Sequence, residues 1–96
     1  MSEPLMDGRI EQAKQGNREA LGQLVQLHYS RVYRFCARRI GDDLAPDAAQ
    51  ETFVTMQKSL RGFEAKSRFD TWLLGIAHNQ CRTLIRKKKL EPLSLQ

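Results

Sequence analysis

The sequence is poor in the residues that staple a chain or thread it through a membrane. Its 96 residues hold two cysteines, Cys36 and Cys81, far apart and with no CxxC pair near either. With no charged-then-apolar leader at the N-terminus, two such thiols predict reduced, buried cysteines rather than a bridge. No apolar run approaches the roughly 20 residues of a membrane span, so membrane insertion is not expected and the sequence points to the cytoplasm. Alternation of period two over β-branched residues is missing, which argues against strands. Internal repeats and low-complexity stretches are missing too. His78 and Cys81 share a helical face, but the four-ligand clustering of structural zinc sites is lacking, and His28 and Cys36 fall on an apolar stripe. Neither a metal nor another cofactor is therefore expected. A Cys–His nucleophile would have no orienting third group and no oxyanion turn, so no catalytic residue is assigned. The carboxylates Asp42, Asp43, Asp47 and Glu51 gather near a turn, away from the basic end of the chain. That placement suits protein docking better than a divalent-ion nuclease.

What is present suits one small domain, and a hydrophobic fraction of 41% excludes wholesale disorder. The net charge of +5 is uneven. Residues 1–60 hold eight Lys/Arg and eight Asp/Glu, which cancel, whereas residues 61–96 hold eight Lys/Arg against Glu64, Asp70 and Glu91. Charge confined to one end is the footprint of a polyanionic partner, although the run Arg86-Lys87-Lys88-Lys89 alone reads equally as a solvated tail.

Periodicity predicts an all-α protein, a compact bundle of four helices, one short and three long. Asp7 is a candidate cap for a short helix through about Gln15, and Gly16-Asn17 ends it and starts the next. From there Leu21, Leu24, Val25, His28, Val32, Phe35, Cys36 and Ile40 keep the 3, 4 spacing of one helix face for about six turns. Gly41-Asp42-Asp43 breaks this helix and Pro46 suits the first turn of a third, whose expected core is Ala49, Thr52, Phe53, Met56 and Leu60. Gly62 interrupts it, and a polar loop through Ser67 leads to a fourth helix from about Arg68 to Lys88. Its expected stripe is Phe69, Trp72, Leu73, Ile76, Gln80 and Leu84.

Two faces lie outside this core. The third helix turns Asp47, Gln50, Glu51, Val54 and Lys58 outward, a pattern that solvation alone explains. On the fourth, Gly75, Asn79, Arg82 and Arg86 fall within about 60° of one another at the helical pitch, beside the polar loop with Lys66 and Arg68. Guanidinium and ammonium groups neutralise phosphates, asparagine bonds a base edge, and an aromatic stacks on an unpaired base. Phe63 in the loop fits two roles equally: a staple closing the loop onto the bundle, or a wall against which a base packs.

The segments Asp47-Ala48-Ala49-Gln50-Glu51-Thr52-Phe53, the Gly62–Ser67 loop, Phe69-Asp70-Thr71-Trp72-Leu73-Leu74-Gly75-Ile76-Ala77-His78-Asn79 and Arg86-Lys87-Lys88 together resemble one family. It is region 2, the σ2 domain, of the extracytoplasmic-function (ECF) sigma factors within the σ70 family. The resemblance covers roughly residues 10 to 90 and implies a σ2 domain over 1–90. Residues 91–96 would begin a linker towards a region 4 that this chain does not contain. It further implies that Asp47, Gln50, Glu51 and Val54 dock on the β′ coiled coil of core RNA polymerase. The loop and fourth helix would then recognise and melt the promoter −10 element by capturing an unstacked base of the non-template strand. Phe63 and Asn79 match pocket positions, and Ser59 lines the same place. Lys66, Ser67, Arg68, Arg82, Thr83, Arg86 and Lys87 would hold the surrounding phosphates or the upstream edge. Thr83 stands where that family often carries an acid. A cognate anti-sigma factor is a further implied partner. The competing reading is a helical protein-interaction module without sequence-specific DNA binding.

Overall fold

The computed structural model describes residues 4–90, with side chains from residue 8 onward. The elements are α1 (Pro4–Lys14), α2 (Arg18–Ile40), α3 (Ala45–Ser59), a single 3-10 turn (Leu60–Gly62) and α4 (Phe69–Leu90), with no strand among the described residues. The expected bundle of one short and three long helices is what forms. The expected linker at 91–96 lies outside the described residues. α1 starts at Pro4, so Asp7 sits inside the helix instead of capping it. Proline's fixed φ and missing N–H suit a first helical turn.

The junctions follow from local chemistry. Gly16 adopts φ 97°; its N–H donates to the Ala13 carbonyl and the Asn17 N–H to that of Gln12, which closes α1 with a left-handed cap. The Asn17 side chain accepts from the Ala20 N–H at 2.9 Å and so opens α2. Gly41, at φ 89°, ends α2 with its N–H on the Ala37 carbonyl. Pro46 then lies in the first turn of α3.

α2 is the central helix: α1, α3 and α4 all pack on it, and α3 also packs on α4. The largest fully buried side chains are Leu24, Val32 and Cys36 of α2, Thr52 and Met56 of α3 and Leu73 of α4. The α2 stripe read from the sequence is buried or half-buried throughout. Thr52 satisfies its hydroxyl by donating to the Ala48 carbonyl at 2.7 Å. On α4 the seam is rotated from the expected one: Phe69, Leu73, Ala77 and Cys81 form the buried row, while Trp72, Ile76, Gln80 and Leu84 are half-buried along one edge. Small side chains at 77 and 81 let α4 approach closely, and bulky neighbours are left to seal the margins.

The loop between the 3-10 turn and α4 is tied at both ends. Phe63 is 5% exposed, its ring against Phe69 (centroids 5.6 Å apart) and Trp72 (4.9 Å). Its carbonyl accepts from Lys14 Nζ at 2.7 Å. At the other end the buried Asp70 carboxylate accepts from Arg31 Nη1 on α2 at 2.8 Å and from Arg68 Nε and Nη2 at 3.1 Å each. The Arg68 hydrogen bond, chiefly, holds the Asp70 pKa below its ordinary 3.8 against the opposing effect of burial.

Two outcomes follow. Leu73→Ala should cost about 2–5 kcal/mol in urea denaturation, because the site is walled by α2 and α3. A depressed Asp70 pKa means its contribution is complete above about pH 4 and is lost as pH falls through the folded-state value. The wild-type denaturation midpoint should therefore drop below pH 4. Asp70→Asn should flatten that drop and lower stability at pH 7 by about 1–2 kcal/mol, both guanidiniums being partly solvated.

Candidate nucleic-acid interface

α4 carries the polar line of the candidate site on its exposed flank. Gly75, Asn79, Arg82, Thr83, Arg86 and Lys87 are all exposed, while Ala77 and Cys81 face inward. The N-terminal end of this line meets the loop, where Ser59, Lys66, Ser67 and Arg68 are exposed as well. Lys66 makes a 3.4 Å ion pair with Glu64, both largely in water, so it holds the loop weakly. The Ser67 hydroxyl donates to the Arg68 carbonyl at 3.3 Å. Ala65 lies at φ 60°, a left-handed conformation that a non-glycine residue adopts at a cost of about 1 kcal/mol.

Phe63 stands apart from these exposed residues. Its ring is enclosed by Phe69 and Trp72, the packing of a staple. Trp72 touches both phenylalanines and remains half-buried, so its exposed part borders the loop. Trp72, Gly75 and Asn79 thus follow one another at helical spacing on α4, next to a loop whose cations Lys66 and Arg68 are each paired with a carboxylate.

The outward face of α3 is as the sequence predicts: Asp47, Gln50, Glu51, Val54 and Lys58 are exposed. Sequence reasoning missed that α2 shares this surface. A groove between the helices is lined by Leu21, Val25, Tyr29, Gln50, Phe53 and Val54. Tyr29 is 42% exposed and stacks on Phe53 at 6.0 Å. It lies one position past the apolar stripe, and its i, i+4 relation to Tyr33 was the only available signal.

A larger omission concerns charge. Arg31, Arg34, Arg38 and Arg39 had cancelled against acids in the count over residues 1–60. In space they separate from those acids. The arginines line a groove with Phe35 and Leu74 on the α4 side of α2, and Asp42, Asp43, Asp47 and Glu51 are on the α2–α3 turn and α3. The signal was present: no Asp or Glu occurs between Glu19 and Asp42.

Cys36 and Cys81 are free and buried. Burial, then the adjacent Cys81 thiol, pushes the Cys36 pKa up to about 12, so the thiolate that a nucleophile or metal ligand requires is disfavoured. No group of three or more His, Cys, Asp or Glu able to hold a metal occurs among the described residues. Among those residues, too, no helix is long and apolar enough to cross a membrane.

Residues 24–91 match the family described as Sigma-70 region 2. The chain is 35% identical over 88 residues to the ECF RNA polymerase sigma factor SigW of Bacillus subtilis (strain 168), covering 91% of this chain and 47% of that protein. It is 30% identical over 95 residues to the ECF RNA polymerase sigma-E factor of Escherichia coli (strain K12), covering 98% of this chain and 50% of that one. The chain therefore spans about half the length of the curated relatives it matches. Among solved structures it is similar to the NMR structure of an engineered region 2 of sigmaE in complex with GTAAAA. The TM-score there is 0.86 at 27% identity, over 96% of this chain and 98% of that one.

Proposed function

The chain belongs to the sigma-70 region 2 family, of the extracytoplasmic-function type, and on that premise we propose that it docks on core RNA polymerase and opens the promoter −10 element. The observation that carries this reading is the exposed row of Asn79, Arg82 and Arg86 on α4, set against a basic loop whose ends are anchored in the core. A structural relative of this kind was solved with the oligonucleotide GTAAAA, which supports single-stranded DNA as the ligand.

The chemistry is selection by binding, with no covalent step and no enzymatic role. Extruding a base costs a few kcal/mol of stacking, and a site that accepts only the extruded base offsets that cost. Asn79 has the donor and acceptor needed to read a base edge. Ser59, Lys66, Ser67 and Arg68 surround the place where the base leaves the stack, and Phe63 shapes it from beneath by fixing the loop. Arg82, Thr83, Arg86 and Lys87 continue the contact along phosphates and the upstream edge. Asp47, Gln50, Glu51 and Val54 form the polymerase-facing surface, which takes the β′ coiled coil with Tyr29 and the α2–α3 groove beside it. A protein of this role works in the cytoplasm, at the nucleoid when in holoenzyme, and is held in check by a cognate anti-sigma factor.

Asn79→Ala should weaken binding to a matched −10 single strand by about tenfold, with a scrambled strand unaffected and the circular dichroism unchanged. Equal loss on both strands removes Asn79 from base reading. Gln50→Ala combined with Glu51→Ala should reduce capture by core polymerase and leave oligonucleotide binding intact. Polymerase capture that survives the double change places the docking face elsewhere.

A further inference from the structure

From the arginine cluster on α2 we infer that Arg34, Arg38 and Arg39, with Arg82, Arg86 and Lys89 of α4, grip the sugar-phosphate backbone of double-stranded DNA without reading its sequence. The two helices present this ridge along one seam. Arg34, Arg38 and Arg39 line a groove with Leu74, and Arg39 also lines a second groove with Arg82, Arg86 and Lys89. Arg39 is therefore common to both grooves. Arg82 and Arg86 also belong to the Asn79 row, so the ridge shares them with the single-strand site.

Three features select a duplex backbone over other occupants. First, none of the six cations has a carboxylate within ion-pair distance among the described residues, whereas Arg31 and Arg68 at the edge of the patch are committed to Asp70. The positive charge of those six is available to an outside anion. Second, the ridge offers little aromatic surface: Phe35 is half-buried and covered by the Arg39 guanidinium, 4.3 Å from its centroid, and His78 is half-buried. Sequence-tolerant binding of single strands relies on exposed stacking platforms, which are scarce here, while phosphate neutralisation needs only the cations. Third, α4 from Leu74 to Lys89 runs for about 22 Å, the length of about six base steps. A duplex supplies phosphates along that length at twice the density of one strand.

The inference rests on the DNA-binding reading above for its location and for Arg82 and Arg86, and adds Arg34, Arg38, Arg39 and Lys89, which that reading does not assign. It is tested with the full chain carrying Arg34→Gln and Arg38→Gln together. The probes are a duplex of scrambled sequence and the matched −10 single strand, titrated across salt from 50 to 200 mM. If each arginine neutralises one phosphate, the slope of log affinity against log salt for the duplex should fall by about 1.8, so its affinity should change about tenfold less across that range. Discrimination between matched and scrambled single strands should persist. An unchanged duplex slope overturns the inference, as does a wild-type chain with no salt-dependent duplex binding. Loss of capture of an acidic polypeptide with duplex binding intact would overturn it too, and would give the ridge to a protein. Failure of the single-strand reading shows separately, as missing matched-over-scrambled discrimination in the wild-type chain.

Discussion

One carboxylate, Asp70, joins the parts that must stay in register. It lies at the start of α4, is nearly enclosed, and accepts hydrogen bonds from Arg31 on α2 and Arg68 at the end of the loop. Taking a carboxylate out of water is costly unless cations and donors replace the lost hydration, and here two guanidiniums do so. The result is directional in a way that apolar packing is not: α4 cannot slide or turn against α2 without leaving a charge unmatched. Because the loop enters α4 through Arg68, the same contact determines where Lys66 and Ser67 project.

The surface divides into zones of opposite character. The α2–α3 turn and the outer face of α3 carry Asp42, Asp43, Asp47 and Glu51, and the α2–α3 groove leaves Tyr29 and Val54 exposed. The α2–α4 seam gathers guanidiniums over a floor of Leu74, Cys81 and Ile85. A chain of modest net charge thus carries most of its α2 arginines and its α2–α3 carboxylates on different elements, an arrangement that suits two kinds of partner.

The helices and most of the core were legible in the sequence, since the α2 stripe from Leu21 to Ile40 is where burial occurs. The α4 seam was less so. Ala77 and Cys81 contribute little hydrophobic signal, yet they are buried, while the more conspicuous Trp72 and Ile76 lie at the edge. Asp70 gave no sign of burial because its partner Arg31 is 39 positions away, and a long-range ion pair has no periodicity. The α2 arginines were hidden by summing charge along the chain, a procedure blind to which side of a helix each charge occupies. The exposed row on α4 was legible because four polar positions at helical spacing need no tertiary information.

The loop between the 3-10 turn and α4 has its two ends held, one by an aromatic cluster and one by an ion pair, with a left-handed alanine between them. Residues 64–67 are thus the span left to adjust, and the backbone freedom surrendered on contact is that of a short arc, at about 1–2 kcal/mol per residue fixed. Preorganisation of this sort favours slow release of whatever settles there, because the departing ligand regains little from a chain already confined.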